Sequence, residues 1–566
     1  KAGRNSINYT GEFTMRLKPN YRDFNIMNSQ DQMSVYQELA QKGYLNYAEI
    51  ANASSSGVYG KMYQLINQYD PATGRFGLEN TDEAKANYLR AAEYRNTDWF
   101  DQLFSNSVMS THSISLSSGT EKAQHYVSAS VMYDPGWYKQ SDVQRYTANL
   151  NSNFNISDKV SFNLISNASY RKQKAPGTLG SEIDAVSGEV KRDFDINPYS
   201  YSMNTSRTLD VNEFYTRSYA PFNILHELKN NYMKLGVSDF RLTGVLTYKP
   251  IRKVELSLLG GMQNTSTSQE HFILDDSNQA LAYRWMPTAA IRDRNPLLYT
   301  NPDDPYAFPV SILPNGGIYE RADRSMFKWD MRAAARYNDV FAEDHIVNLY
   351  AGMETNSVDR HSTWFRGWGM QYSMGEIPNY AYQVFKRGQE ENTDYYTLTN
   401  TSERSVAFFG NATYSYKGKY NLNGTLRYEG TNSLGKSRSS RWLPTWNVSG
   451  SWNAHEEEWF HNFNPTWSHL TLKASYSLTG DRPSVSNAYA IIKSKNPWRP
   501  STGANESSLY VSSLANSELT YEKKHELNLG LSTGFIDNRI NVEFDWYRRN
   551  NFDLIGVTNT QGICGE

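Results

Sequence analysis

The chain has 566 residues and a formal net charge of −2, and 39% of its residues are hydrophobic and 14% aromatic. This length accommodates either several soluble domains or one large barrel, while the balanced charge excludes the basic surface of a nucleic-acid-binding protein. Cys564 is the single cysteine, which excludes a disulfide framework and a cysteine-based metal site, and no apolar run reaches the roughly 18 residues of a transmembrane helix.

The first predicted element is a strand over residues 6–18. Ile7, Tyr9 and Phe13 alternate with polar residues, and an alternation of period two is typical of a strand with one apolar face. The segment before it, KAGRNSINYTGEF, leads directly into this strand and has no apolar signal core. We therefore expect the chain to be an internal portion of a longer protein.

A long excursion to about residue 110 follows this strand, and it contains two predicted helices. One spans Ser29 to Gln41, with Ser29 as the N-cap and Gly43 as the stop signal. The other spans 82–94 behind the N-cap Thr81.

The clearest strand pattern lies in the section from Ser405 to Asn453. Between residues 420 and 429 the even positions read Tyr, Leu, Gly, Leu, Tyr and the odd positions read Asn, Asn, Thr, Arg, Glu. A strand of about a dozen residues rises about 3.3 Å per residue and, tilted near 40°, crosses the hydrocarbon layer of a bilayer. A sandwich strand is usually shorter, about 5 or 6 residues.

The same alternation predicts fifteen strands in all, counting the first. Three lie in the section 405–453, and the remaining eleven lie near 111–117, 123–133, 145–156, 160–171, 239–249, 254–264, 326–337, 346–354, 469–479, 525–533 and 539–547. Their connections alternate between short turns, as at 417–419, and mostly long loops, as at 172–238, 265–325, 355–404 and 480–523. Short turns at one rim and long loops at the other are typical of outer-membrane barrels.

The sequence thus predicts an all-β fold: a transmembrane antiparallel β-barrel with long extracellular loops that carry short helices. Because bacterial single-chain barrels have even strand numbers, we expect further strands beyond Glu566. The whole chain, 1–566, is interpreted as a partial barrel domain.

Several segments resemble the SusC/RagA group of TonB-dependent outer-membrane transporters. They are NTDWFDQLF, followed by THSISLSSGTEKAQHYVSASVMYDPGW, then LNGTLRYEGTNSLGKSRSSRWLPTWNVSGSWNAHEEEWF, HLTLKASYSLTGD and TYEKKHELNLGLSTGFIDNRINVEFDWYRRNNFDLI. The opening KAGRNSINYTGEF is similar to the junction between that family's plug domain and its first barrel strand. The chain departs from the family pattern at Glu429, Thr431, Asn432, Leu434, Leu443 and Thr445.

The resemblance implies a 22-stranded barrel with an N-terminal plug, a periplasmic segment that binds TonB, and a SusD-like surface lipoprotein that covers the barrel. It also implies, as one possible assembly, a dimer of two transporter–lipoprotein pairs. The plug and the TonB-binding segment fall outside this chain, so energised transport depends on the resemblance alone.

Charged residues on the polar side of the predicted strands form the first set of candidate site residues. They can fill a wet lumen, pair with one another or with a plug, or contact substrate directly. The set comprises Arg16, Arg171, Arg241, Arg332, Arg336, Arg427, Glu429 and Glu543.

Aromatic residues in the predicted outer loops form the second set, because a large aromatic surface usually marks a partner or a ligand. Docking of a partner, stacking on a glycan and packing of the loops on themselves are the alternatives. The set comprises Tyr199, Tyr201, Phe214, Tyr215, Tyr219, Trp285, Trp364, Trp368, Tyr372, Tyr380 and Trp498.

No catalytic motif is present, so we expect no enzyme activity and no cofactor. The histidines have no metal-binding spacing. The acidic pairs Asp275–Asp276 and Asp303–Asp304 are candidate calcium ligands, with solvated loop charge as the alternative.

The functional hypothesis is an outer-membrane importer of an oligomeric nutrient, a glycan or a peptide, that acts with a surface lipoprotein. A passive porin, a structural or adhesive surface barrel and a soluble all-β enzyme are the alternatives. A plug encoded upstream of Lys1 would favour the importer over the passive porin, because the porin hypothesis predicts no plug.

Overall fold

One antiparallel sheet organises the protein, because long strands of alternating polarity pair with their neighbours in chain order. The computed structural model describes residues 5–177, 194–391, 393–435, 437–483 and 518–556, together with 182–183, 190–191, 490–495, 508–513 and 516. Fifteen long strands follow one another in this sheet, and a sixteenth, Ile377–Pro378, pairs with the ninth. The predicted all-β fold and its fifteen long strands are confirmed.

The fifteen strands are β1 Ser6–Arg16, β2 Ser107–Gly119, β3 Ala123–Asp134, β4 Asp142–Ser157, β5 Val160–Pro176, β6 Asn231–Ile251, β7 Val254–Ile273, β8 Gly317–Phe341, β9 His345–Gln371, β10 Tyr396–Tyr416, β11 Tyr420–Thr431, β12 Trp442–Asn453, β13 Trp467–Asp481, β14 Glu522–Phe535 and β15 Ile540–Phe552. Each pairs antiparallel with the next one along the chain.

The α-helices of the described residues lie in the connections between strands. They are α1 Ser29–Gln41, α2 Tyr47–Ile50, α3 Val58–Asn67, α4 Asp82–Arg95, α5 Trp99–Leu103, α6 Pro198–Asn204, α7 Ile224–Asn230, α8 Asn278–Ala282, α9 Ala289–Arg294, α10 Tyr382–Glu391 and α11 Arg438–Arg441. None of them has the length and apolar character that a membrane-crossing helix requires.

Both predicted helices of the first excursion are present. Thr81 caps α4 as predicted, and its side chain accepts a hydrogen bond from Ala84 N. The predicted cap of α1 was wrong by one residue, because the Asn28 side chain accepts the hydrogen bond from Asp31 N. Ser29 instead donates its hydroxyl to the Glu93 carbonyl oxygen and so ties α1 to the end of α4.

The two faces of the sheet differ in chemistry. On β11 the outward side chains Leu422 and Leu426 are 55% and 54% exposed, whereas Asn423 and Arg427 lie on the opposite face because side chains alternate along a strand. The pairing register carries this division across the sheet: Leu426 lies opposite Trp446 and Arg427 opposite Thr445. The sheet thus has one apolar face, hereafter the outer face, and one polar face, the inner face.

Several strands extend further toward the long loops than the sequence predicts. The predicted strand 346–354 is the 27-residue β9, and β10 begins at Tyr396 rather than near 405. With a rise of about 2.5 Å in height per tilted residue, a hydrocarbon layer of about 25 Å takes about ten residues. Much of β9 and β10 therefore rises above that layer.

Charges on the outer face mark where the apolar layer ends. Asp359 of β9 accepts two hydrogen bonds from the Arg404 guanidinium of β10, at 2.8 and 2.9 Å. Both side chains belong to the outer face, because Asp359 follows the same alternation as Met353 and Phe365. A charged pair at this height fits water rather than lipid.

The predicted asymmetry of the two rims is present. Connections at one rim are mostly short, for example 158–159, 252–253 and 417–419, and the connection 454–466 is the longer exception. The connections 17–106, 177–230, 274–316, 372–395 and 482–521 leave the sheet at the opposite rim. The loops of this long-loop rim have their own apolar cores, one of which centres on Trp99, Phe100 and Phe104.

The two faces of β11 give a test of which one meets lipid. We expect Leu426→Arg to destabilise the protein in phospholipid vesicles by about 2–4 kcal/mol, because Leu426 lies near the middle of the apolar layer. Thr425→Arg, on the inner face next to it, is the matched control and loses the hydrogen bonds with Asn411 at 2.8 Å and with Asn423 at 3.4 Å, each worth about 1 kcal/mol or less. Denaturant unfolding of the full chain from vesicles measures both, and equal losses would contradict the assignment of the faces.

Candidate functional site

A row of charged residues crosses the inner face from β8 to β11. The register places Arg332 opposite Glu354, Glu354 opposite Ala407, and Ala407 opposite Glu429. Ala407 is only 2% exposed, and its small side chain leaves room above it. The Arg427 guanidinium occupies this room and lies 2.6 Å from a Glu354 oxygen and 2.7 Å from a Glu429 oxygen.

Two further guanidinium groups complete this row. Arg332 lies 2.7 Å from the second oxygen of Glu354, and Arg482, just beyond β13, pairs with the second oxygen of Glu429. These five residues, hereafter the inner charge network, share two carboxylates among three arginines. Because every carboxylate oxygen is engaged, the network holds its side chains in place and carries a net positive charge.

All eight charged residues predicted to line the lumen lie on the inner face. Arg16 pairs with Asp134, Arg336 lies 3.8 Å from Glu255, and Arg171 lies opposite Arg145. Arg241 and Glu543 lie opposite Gln263 and Ser532, and Arg332, Arg427 and Glu429 belong to the inner charge network. Their contact with a substrate stays a prediction.

The predicted aromatic set divides between loop cores and exposed positions. In α6, Tyr201 packs edge-on against Trp99 with ring centroids 5.1 Å apart, and Tyr199 stacks on Trp137 at 6.1 Å. Tyr215 is buried, and its hydroxyl accepts a hydrogen bond from Asp210 N at 2.7 Å. These three side chains thus pack segments of the loops against one another.

The remaining members of the set lie in different surroundings. Trp285 packs against a small loop core around Phe194, Tyr219 is half-buried, and Phe214 and Tyr380 are exposed. Trp498 lies outside the described residues.

Two of the predicted loop aromatics belong to a strand instead. Trp364 and Trp368 lie on β9, and the Arg366 guanidinium lies over both rings, at 5.3 and 5.7 Å. Arg366 also pairs with Glu320 at 2.6 Å. The Tyr372 hydroxyl donates to the Ile318 carbonyl oxygen. The assignment of the two tryptophans to a loop was wrong, because β9 continues above the apolar layer.

A candidate ligand site is a cleft between the excursion 17–106 and the loop 177–230. It has a volume of about 660 Å³, which is typical of small-molecule sites. Aromatic rings, hydroxyls and side-chain amides line it, including Tyr36, Tyr59, Tyr201, Asn197 and Ser200. We call it the tyrosine cleft. Asp195 and Arg217 belong to its lining as well. The surface suits ring stacking and hydrogen bonding to a polar ligand.

The acidic pairs that were candidate calcium ligands have protein partners. Asp275 accepts hydrogen bonds from Tyr372 N, Ser373 N and the Ser373 hydroxyl, and Asp303 pairs with Lys386 at 3.1 Å. Within the described ranges, no group of three or more histidine, cysteine, aspartate or glutamate side chains is arranged to hold a metal ion.

A buried carboxyl joins two of the long loops. Glu227 of α7 is 1% exposed, and its Oε1 accepts a hydrogen bond from Asn278 N at 2.8 Å. The Asn278 amide donates in turn to the carbonyl oxygens of Arg217, Ala220 and Pro221. Burial raises the pKa of Glu227 from 4.5 to about 7, although the Asn278 hydrogen bond and the Arg217 charge oppose this shift.

Sequence reasoning missed several residues of the inner face and of the tyrosine cleft. Lys328 lies on the inner face four residues before Arg332 within the predicted strand 326–337, so its place could have been found from the alternation. Arg360 and Glu403 form an inner-face ion pair at 2.6 Å and lie in the part of β9 and β10 that the sequence assigns to a loop. Tyr36 lies in a predicted helix, but its approach to Tyr59 depends on how the excursion folds, and no sequence pattern indicates that contact.

The comparison with known proteins identifies the class. The profile of the family described as "TonB dependent receptor-like, beta-barrel" matches residues 262–565. The chain belongs to this family of bacterial outer-membrane barrels, whose members are TonB-dependent transporters and not enzymes.

Relatives and solved structures agree with this assignment. The chain is 22% identical to TonB-dependent receptor P3 of Formosa agariphila over 472 residues, 81% of this chain and 41% of the relative. It is 23% identical to TonB-dependent receptor SusC of Bacteroides thetaiotaomicron over 485 residues, 81% of this chain and 43% of the relative. The chain thus spans less than half the length of these relatives.

Among solved structures, the RagAB peptide transporter matches with a TM-score of 0.68 at 17% identity. That match covers 100% of this chain and 56% of the transporter chain. The expected likeness to SusC and RagA is confirmed.

The Glu227 carboxyl gives a prediction about pH. Because its pKa is higher in the folded protein than in the unfolded chain, the folded protein binds more protons between pH 4.5 and about 7, and local stability falls as pH rises through this window. We expect the protection of the Asn278–Ala282 amides from hydrogen exchange to weaken by roughly 2–3 kcal/mol between pH 5 and pH 8. Glu227→Gln keeps an acceptor for Asn278 N and should remove this pH dependence; protection that still weakens in the variant would contradict the role of Glu227.

Proposed function

We propose that this chain forms the barrel of an outer-membrane importer for an oligomeric nutrient, a glycan or a peptide. A SusD-like surface lipoprotein acts with it at the long-loop rim, and TonB supplies the energy through a segment outside this chain. The family supports the transport class, and the relatives are TonB-dependent receptors by name. The RagAB structure, a peptide transporter, supports a peptide as one of the two cargo classes.

The observation that carries the proposal is the tyrosine cleft at the long-loop rim of a sheet with a polar inner face. A route for a hydrated oligomer needs a polar wall, and the inner face provides one with asparagine, serine and threonine side chains as well as the inner charge network. A first binding site needs concave surface with rings and hydrogen-bonding groups. The cleft supplies both, through Tyr36 and Tyr59 beside Asn197 and Ser200.

Both cargo classes fit this surface. A sugar ring presents C–H groups to an aromatic face and hydroxyls to amides, and a peptide presents side chains and backbone amides to the same groups. A cleft of about 660 Å³ holds a few residues of either oligomer. The rest of the oligomer would extend toward the lipoprotein or toward the lumen.

Cells carrying the gene test this proposal. We expect fluorescent oligopeptides or oligosaccharides of at least one class to accumulate in the periplasm of wild-type cells, and accumulation to stop when the gene or the tonB gene is deleted. Accumulation that requires this gene but not tonB would indicate a passive porin. Unchanged uptake of both classes after deletion of the gene would contradict the importer.

The tyrosine cleft has its own test. Tyr36→Ala should weaken binding of the imported oligomer to the purified full-length protein roughly tenfold, because a stacked ring contributes about 1 kcal/mol or more. Tyr94→Ala is the matched control, since Tyr94 is 72% exposed on α4 and does not line the cleft. Calorimetric titration measures both, and equal affinities of the two variants would place the binding site elsewhere.

A further inference from the structure

A second cavity lies on the inner face of the sheet, apart from the tyrosine cleft. Its volume is about 380 Å³, and β7, β8, β9 and β10 line it together with Arg482. The register sets Gln263, Lys328, Val358 and Glu403 side by side in one row across these four strands. Met326 and Arg360 lie opposite one another in the next row toward the loops.

The cationic side chains of this cavity outnumber its carboxylates. Lys328, Arg360 and Arg482 contribute inner-face cations, and Glu403 is the one carboxylate among the described lining residues. Glu403 is already engaged by Arg360 at 2.6 Å. Arg404 belongs to the lining as well, but its guanidinium pairs with Asp359 on the outer face.

Lys328 is the cation whose charge is least compensated. In the part of the chain that the structure describes, no carboxylate oxygen lies within 4.0 Å of its ammonium group, and the side chain is half-buried. Below it on the inner face lies Asp330, two residues along β8, and below Asp330 the inner charge network shares Glu354 and Glu429 among three arginines. A concave surface lined by one sign of charge concentrates ions of the opposite sign.

The position of the cavity separates it from the lower lumen. Lys328 lies thirteen residues along β8 from its end at Phe341, which corresponds to about 30 Å of height at about 2.5 Å per residue. The hydrocarbon layer is about 25 Å tall. The cavity therefore lies just above the hydrocarbon layer, eleven residues along β8 from the start of that strand at Gly317, on the stretch of inner wall between the lipid and the long-loop rim.

We propose that this cavity binds an anionic group of the imported oligomer, with Lys328 and Arg360 as the direct contacts. The inference rests on the proposed importer function and narrows its cargo to oligomers that carry negative charge. A carboxylate is the group that both an acidic peptide and a uronic-acid glycan supply, and it matches the donors of a guanidinium and an ammonium group.

Matched probe pairs test the inference with the purified full-length protein. One pair is tetra-aspartate and tetra-asparagine, both with blocked ends, and the other is tetragalacturonate and its methyl ester. Calorimetric titration should show that the acidic member of at least one pair binds roughly tenfold or more tightly than its neutral partner. Added salt should reduce this preference, and the pair that shows it identifies the source of the carboxylate.

Variants that remove either a cation or the carboxylate from the cavity make the test specific, because they should change acidic-probe binding in opposite directions. Lys328→Gln and Arg360→Gln should each remove most of the preference for the acidic probe, and Lys328→Arg should retain it. Glu403→Gln removes the one lining carboxylate and should strengthen acidic-probe binding several-fold. Lys473→Gln is the matched control, because Lys473 lines a different inner-face cavity close to the short-turn rim.

Three outcomes would overturn the anion site. One is equal binding of acidic and neutral probes, or binding of none of the four, by the wild-type protein. Another is a Lys328→Gln protein with a lower Tm and an unchanged preference, which would assign Lys328 to an internal ion pair. The third is weaker acidic-probe binding in Glu403→Gln. The uptake assay decides the importer function separately, since an importer of neutral oligomers would need no anion site.

Discussion

Backbone hydrogen bonding in a medium without water is the constraint on which the rest of this structure depends. A strand in lipid must give every N–H and C=O group a partner on a neighbouring strand; among the described residues the thirteen strands from β2 to β14 pair on both sides in chain order, and β1 and β15 are the two edges of the sheet. Once the backbone is satisfied in this way, side chains alone distinguish the two faces. The outer face can then be apolar while the inner face is free to carry charge.

The inner face uses that freedom differently from strand to strand. Near the short-turn ends of β11 and β12 it carries uncharged amides and hydroxyls, as at Asn421, Asn423 and Ser451, whereas near the short-turn ends of β7 and β8 it carries Glu255 and Arg336. Higher up, the inner charge network joins β8, β9, β11 and the segment after β13 through Arg332, Glu354, Arg427, Glu429 and Arg482. The small Ala407 allows this network to form, because a larger side chain would fill the space that the Arg427 guanidinium occupies.

Much of the fold could be predicted from the sequence, and the limits have a physical cause. Alternating polarity identifies a strand only where its two faces meet different surroundings. Residues 406–416 alternate clearly, whereas 396–405 read YTLTNTSERS and are largely polar on both faces, because that part of β10 has water on both sides. For the same reason Trp364, Trp368 and Arg360 were placed in a loop. The tyrosine cleft depends on packing between distant loop segments, which no local pattern encodes.

The part of the sheet above the apolar layer has a consequence for how the sequence of the protein can evolve. Its strands remain hydrogen-bonded to both neighbours, as β9 is through Phe365 to β8 and β10, yet its outer surface carries pairs such as Asp359 with Arg404. Exchanges among hydrophilic residues there leave the backbone ladder intact and face no lipid. The strands above the apolar layer can therefore diverge in sequence more rapidly than the lipid-facing wall below them.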